Sequence, residues 1–144
     1  MVDAGMSNQS DIRAKRARSL LNAQHLMQRV EERRLAELKR RKRELDETEQ
    51  RLRRLIDADD TLQALLTFMC LRSINGVEKE RNRVAMQSQS QTERLIEQTV
   101  RSKRAERISE TAGQDAQRER DKQDLEEILE RCLRGSSARL PQGD

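Results

Sequence analysis

The sequence predicts an all-α protein, a two-helix antiparallel coiled-coil hairpin with a longer second helix. Charged residues make up 39% of the 144-residue chain and hydrophobic residues only 33%, a balance typical of long helices and coiled coils. Phe68 is the only aromatic residue, which argues against an ordinary globular core, because such cores use several aromatic side chains. The chain also lacks the regular turns and β-branched runs of a β-sandwich or barrel.

The first predicted helix covers residues 10–56 and follows a flexible lead at residues 1–9. Ser10 and Asp11 can cap this helix, and no Gly or Pro interrupts it afterwards. The spacing of its apolar residues predicts a heptad seam with polar interruptions at Lys42 and Glu49. The apolar seam residues are Leu35, Leu38, Leu45, Leu52 and Ile56. Upstream, a second stripe of apolar residues consists of Leu20, Ala23, Met27 and Val30. Its spacing to Leu38 predicts that the seam drifts around residue 30.

The second predicted helix covers residues 61–134 and precedes a disordered tail at residues 135–144. Asp60 and Gln63 resemble a capping box at its start. After an apolar stretch, small and apolar residues follow one side of the helix. They are Val84, Leu95, Ala105, Ala112 and Ala116, with Ser88, Ser102 and Ser109 between them. A helix this long and this polar needs a partner, and the first helix is the simplest one.

Two turns are compatible with the hairpin, and the residue pattern alone does not choose between them. A turn at residues 57–61 places Leu52 beside Leu66. A turn at Asn75-Gly76, the strongest turn dipeptide in the chain, places Leu52 beside Val100. Both registers align apolar residues with apolar residues along the two helices.

No motif for catalysis or for binding a metal or cofactor occurs, so the sequence predicts a non-enzyme without cofactors. It contains no Walker loop, GxGxxG, GxSxG or HExxH. Cys70 and Cys132 lack CxxC spacing and are expected to be reduced thiols. Without a signal peptide or an apolar run that could span a bilayer, we expect a cytoplasmic protein with no direct membrane insertion. No aromatic residues accompany the basic ones, so we expect no nucleic-acid partner.

The chain resembles the central stalk of bacterial type III export systems, the FliJ/YscO family of flagella and injectisomes. The resemblance is carried by a basic first helix, a break near residue 60 and a longer, charged second helix. The closest likeness is the segment DTLQALLTFMCLRSINGVEKE at residues 60–80, where Ile74 and Val77 follow a capped apolar stretch. Residues 100–130 look like the charged C-terminal helix of the family. The resemblance implies a hairpin and favours the turn at residues 57–61.

The resemblance also implies a function. The chain would be a non-enzymatic stalk that inserts into a hexameric export ATPase and links it to the export gate protein, and some family members bind export chaperones. It would be cytoplasmic and peripheral to the membrane-embedded export apparatus. For the ATPase contact we expect cations from both terminal regions, namely Arg13, Lys15, Arg16, Arg18, Arg118, Arg120 and Lys122. For the gate contact we expect Leu71, Ile74 and Val77, because the apolar segment is too wide for one helix-facing stripe.

Two other functions are compatible with the same pattern. A hairpin that enters the secondary channel of RNA polymerase would carry acidic residues at its tip, where Asp57, Asp59 and Asp60 would lie. A generic structural coiled coil would dimerise through its apolar seam. Its contact residues would be Leu35, Leu38, Leu45 and Leu52. Co-purification with an export ATPase, or neighbouring genes for one, would favour the stalk.

Overall fold

The computed structural model describes residues 2–58 and 64–138, which form two long helices packed against each other as a hairpin. Helix α1 spans Val2–Ala58, with 57 residues, and helix α2 spans Ala64–Ala138, with 75 residues. The predicted fold class, an all-α hairpin with a longer second helix, is confirmed. The predicted capping box at Asp60 and Gln63 lies outside the described residues, as do most of the predicted turn and residues 139–144 of the predicted tail.

The described helices extend further than the sequence predicted. Residues 2–9 are helical, so α1 begins eight residues before the predicted start at residue 10. Ser7 is buried, and the Ser10 hydroxyl donates a hydrogen bond to the Ser7 carbonyl oxygen at 2.9 Å. Ser10 therefore lies inside the helix instead of capping it, because packing against α2 continues toward the N-terminus. Helix α2 likewise continues past residue 134 to Ala138.

Asn75 and Gly76 lie inside α2, so the alternative turn at this pair is wrong. Neither residue has a positive φ, and both residues are exposed on the surface of the helix. A glycine in a helix costs about 1 kcal/mol relative to alanine, which a long packed helix tolerates. The two helices are joined between Ala58 and Ala64, close to the turn predicted at residues 57–61.

The register of the hairpin differs from both predicted registers. The turn at residues 57–61 placed Leu52 beside Leu66, but Arg53 reaches Glu78 at 3.4 Å instead. Near this end, pairing is displaced along α2 by roughly three helical turns. Leu66 and its apolar neighbours at the start of α2 are exposed. The first turns of α2 therefore expose large apolar side chains.

Contacts between the helices group into two compact units. One unit joins α1 up to His25 to α2 from Arg101 onward, and the other contains Leu26–Val100. Within each unit, buried and half-buried residues recur at alternating steps of three and four residues. This spacing is the heptad seam of a coiled coil.

The predicted apolar seam of α1 is confirmed. Leu45 is buried, and Leu35, Leu38, Leu52 and Ile56 are half-buried. The seam keeps its spacing upstream, where the half-buried residues are Leu21, Gln24, Gln28 and Glu31. The predicted drift is therefore wrong, and the predicted stripe of Leu20, Ala23, Met27 and Val30 is exposed. Helix packing preserves the heptad spacing, so polar side chains occupy the seam and apolar ones lie beside it.

The predicted small-residue side of α2 is also confirmed. Its buried members are Val84, Ser102, Ala105 and Ala116, and its half-buried members are Ser88, Leu95, Ser109 and Ala112. Gln91 and Gln98 are buried in the same seam. Small and polar side chains bury little apolar area, so each turn of this seam contributes little hydrophobic stabilisation.

We expect Leu45→Ala to destabilise the hairpin by about 2–3 kcal/mol, because Leu45 is only 6% exposed and its loss leaves a gap in the seam. The matched control is Leu55→Ala, at a leucine that is 57% exposed, with an expected cost below about 0.5 kcal/mol. Urea unfolding followed by circular dichroism measures both free energies. Equal costs for the two variants would contradict the seam assignment.

Candidate partner-binding surfaces

Glu49 is a carboxylate buried in the α1 seam, and two arginines bind it. Arg53 Nη2, one turn further along α1, donates to Oε1 at 2.7 Å, and Arg81 Nη1 of α2 donates to Oε2 at 2.9 Å. Arg81 Nε also lies 3.0 Å from Asp46 Oδ1, and Arg53 Nη2 lies 3.4 Å from Glu78 Oε1. Since both Glu49 oxygens are occupied, this cluster ties the two helices together at one register.

The charged groups in this cluster shift each other's pKa values. The hydrogen bond from Arg53 lowers the pKa of Glu49 below its ordinary value of 4.5, and the guanidinium of Arg81 acts in the same direction against the effect of burial. In return, the hydrogen bond to Glu49 raises the pKa of Arg53. The ionised carboxylate is thus the form that the folded hairpin stabilises.

Other polar contacts cross between the helices inside each unit. In the Leu26–Val100 unit, Gln91 Nε2 donates to the Glu31 backbone carbonyl at 3.2 Å and also bonds the Glu31 carboxylate. In the other unit, the Ser102 hydroxyl donates to the Gln24 carbonyl at 3.4 Å. Buried polar groups need partners, so these contacts favour a particular alignment of the two helices.

The cations predicted to contact an ATPase are all exposed in the structure. They are Arg13, Lys15, Arg16, Arg18, Arg118, Arg120 and Lys122. The structure brings three of them together, because Arg13 of α1 lines a groove with Arg118 and Lys122 of α2. Arg120 is held nearby, with its Nε 3.9 Å from Asp11 Oδ1.

An adjoining groove was missed by the sequence analysis, and we call it the Leu20 groove. Its apolar lining consists of Ala17, Leu20, Ile108 and Ala112, and its charged lining consists of Arg13, Arg16, Arg107 and Asp115. The signal was present in the sequence, because Leu20 directly precedes the seam position Leu21. A seam traced through polar residues would have placed Leu20 beside the seam, on an exposed face.

The three residues predicted to contact the export gate have different environments. Leu71 is 54% exposed, whereas Ile74 is 8% exposed and Val77 is half-buried. Ile74 and Val77 are seam residues that pack toward α1, and their contact with the gate stays a prediction. The exposed apolar surface of this segment consists of Leu65, Leu66, Phe68, Met69 and Leu71.

Comparison of the chain with protein-family profiles, curated proteins and solved structures found no match. Neither helix, over the described residues, combines the length and apolar character needed to cross a membrane. Across residues 2–58 and 64–138, no three His, Cys, Asp or Glu side chains converge as a metal site would require.

The lowered pKa of Glu49 predicts a specific loss of stability in acid. Below its ordinary pKa of 4.5, Glu49 in the unfolded chain protonates first, and the folded chain protonates only at lower pH. The stabilisation that Glu49 supplies at neutral pH is therefore lost as the pH falls through its lowered folded value. We expect Glu49→Gln to be less stable than the unmodified chain at neutral pH and to lose less stability in acid.

The measurement is the urea midpoint at several values between about pH 7 and pH 3, with and without the substitution. Glu47→Gln is the matched control, because Glu47 is an exposed carboxylate on the same helix. It should lose as much stability in acid as the unmodified chain. If Glu49→Gln also loses as much as the unmodified chain, Glu49 is not the titrating group.

Proposed function

We propose that this chain is the central stalk of a bacterial type III export system, a non-enzymatic protein that joins a hexameric export ATPase to the export gate protein. One observation carries the proposal: in a hairpin with a longer second helix, cations from both terminal regions line one groove. This arrangement supports the resemblance found in the sequence. Binding of export chaperones, known for some family members, belongs to the same proposal.

The ATPase contact is assigned to the exposed cations around Arg13, Arg118 and Lys122. Each exposed ion pair contributes only about 0–1 kcal/mol. A cluster of such charges acts mainly on the encounter rate and on the orientation of the partner. This chemistry suits a contact with acidic loops, in which the stalk must bind without being held too tightly to move.

The gate contact is assigned to the exposed apolar surface at the start of α2, from Leu65 to Leu71. Five large apolar side chains are more than 45% exposed there. Contiguous exposed apolar groups are a common mark of a protein-binding surface. The surface lies on α2 directly after the connection between the helices, which is the region that the family resemblance assigns to the gate.

The two alternative functions have less support. A coiled coil that dimerises through Leu35, Leu38, Leu45 and Leu52 would have to open the hairpin, because these side chains already lie in the intramolecular seam. An RNA polymerase channel factor needs a cluster of acidic residues at its tip. Of the three that the sequence offers, the structure describes only Asp57, which is exposed, so it provides no acidic cluster in support of this function.

We expect reversal of Arg13, Lys15, Arg16 and Arg18 to Glu to slow association with the export ATPase by about tenfold at low salt, because the steering charge changes sign. Stimulation of ATP hydrolysis should fall with it, and the difference should shrink as salt screens the charges. Circular dichroism should remain helical. Association is measured by surface plasmon resonance, and hydrolysis is measured by phosphate release.

The matched control reverses four cations elsewhere on α1, namely Lys39, Arg40, Arg41 and Arg43. It changes the net charge equally and should leave stimulation nearly unchanged. Equal losses in the two variants would show a general effect of net charge. If the unmodified chain stimulates no export ATPase from its own organism, the stalk proposal is wrong.

For the gate contact, Leu71→Ser should weaken binding to the export gate protein by about tenfold, equivalent to the loss of about 1.4 kcal/mol from an apolar interface. Its helix content should not change, since Leu71 is exposed. Ile74→Ser should instead lower the free energy of unfolding by about 2–4 kcal/mol, because Ile74 is buried in the seam. Isothermal titration calorimetry and urea unfolding separate the two effects. Unchanged gate binding by Leu71→Ser would remove this surface from the proposal.

A further inference from the structure

The end of α2 exposes several large apolar side chains. Toward this end, Arg120 Nε lies 3.9 Å from Asp11 Oδ1, and α1 continues beyond Asp11 to Val2. Every residue from 127 to 137 is exposed. Four large apolar side chains in this part of α2 are more than half exposed, namely Leu125, Ile128, Leu129 and Leu133.

Residues 124–133, which we call the C-terminal segment, are acidic as well as apolar. Acidic side chains alternate with the leucines, at Asp124, Glu126, Glu127 and Glu130, against a single cation at Arg131. The segment is therefore a helix with exposed leucines and a net negative charge. Its complement is an apolar groove lined by cations.

The Leu20 groove has this complementary chemistry. Leu20 and Ile108 are exposed apolar side chains within it, and Arg13, Arg16 and Arg107 outnumber its one carboxylate, Asp115. The groove and the C-terminal segment lie in the same unit of the chain. Both apolar area and charge thus match between the two surfaces.

The C-terminal segment cannot fill the groove of its own chain. Ile108 and Leu129 belong to one uninterrupted helix, and the rise of an α-helix separates them by about 30 Å. A second copy of the chain removes this restriction. Ile108 and Leu129 are separated by three heptads, so they share one face of α2, as an antiparallel pairing of two α2 helices requires.

We propose that two copies of the chain associate antiparallel, with the C-terminal segment of each copy lying in the Leu20 groove of the other. The contact is isologous, because each copy supplies one segment and one groove. Its centre is apolar, formed by Leu125 and Leu129 against Leu20 and Ile108. Carboxylates of the segment pair with Arg13 and Arg16 at the edge.

The exposed area of the chain accommodates such a contact. The chain exposes 12111 Å². A globular monomer of the same mass, 16.8 kDa, would expose about 7,600 Å². The excess is larger than the roughly 1,600 Å² that a standard protein interface buries in total.

Sedimentation equilibrium of the full chain provides the first test. We expect the dimer to dissociate with a Kd of about 1 µM. At a chain concentration of roughly 100 µM, the unmodified chain should therefore be mostly dimeric. The double variant Leu125→Gln, Leu129→Gln should dissociate at least about tenfold more readily, since it loses the apolar centre. The matched control, Leu65→Gln with Leu66→Gln, changes two exposed leucines at the start of α2 and should remain dimeric.

A charge exchange provides the second and sharper test. Arg13→Glu with Arg16→Glu gives an acidic groove beside an acidic segment, and Asp124→Arg with Glu130→Arg gives a basic segment beside a basic groove. Each variant alone should be monomeric, because like charges meet in both contacts. Mixed together, they should form a heterodimer, because each groove then meets a segment of opposite charge. Circular dichroism of each variant confirms that the helices are retained.

The outcomes separate this proposal from its competitors. A monomeric unmodified chain overturns it and leaves the groove to an acidic helix of a different protein. A dimer that survives the Leu125 and Leu129 substitutions, or helical charge variants that fail to combine, also overturns it. The inference does not rest on the proposed stalk function, since oligomeric state is measured without an ATPase or a gate protein.

Discussion

The structure depends on the alternation of three-residue and four-residue steps along both seams, which is interrupted in α1 at the exposed Lys42. This spacing keeps one line of side chains on each helix facing the other. It holds whether the seam residue is apolar, as at Leu45, or polar, as at Gln24 and Gln28. In many coiled coils leucine and isoleucine supply most of the stabilisation at these positions. Here glutamine, serine and alanine occupy much of the seam, so the spacing matters more than hydrophobicity.

A seam with so little apolar burial needs another source of specificity, and the polar contacts provide it. Glu49 is buried between Arg53 and Arg81, so sliding the helices by one heptad would remove Arg81 from the carboxylate. Leaving this seam carboxylate without its cation is destabilising. A one-heptad slip of the small-residue seam changes apolar burial far less. The register is therefore set by charge and hydrogen bonding more than by leucine packing.

This explains which features the sequence could predict. Composition and apolar spacing were sufficient for the hairpin and for the seam from Leu35 to Ile56, where leucines mark the positions. Upstream, the apolar spacing predicts a seam along the stripe through Leu20. The true seam positions there carry glutamine and glutamate, which leave no apolar signal in the sequence. The register was missed because apolar residues were aligned without asking which cation would neutralise Glu49. The same error in register hides from the sequence that Ile74 and Val77 lie in the seam.

The polar seam also accounts for the surfaces on which the proposed contacts depend. A hairpin that used its large apolar side chains for its own packing would bury them in the seam. In this chain glutamines such as Gln91 and Gln98 are buried, whereas Leu20, Ile108 and Leu129 are exposed. Half-exposed leucines add less to the stability of the isolated hairpin than buried ones would, and they raise its tendency to associate. Large apolar side chains thus lie on the outer faces of the hairpin instead of in its seam. Their exposed area is buried only when another chain binds there, so it stabilises a complex with that chain.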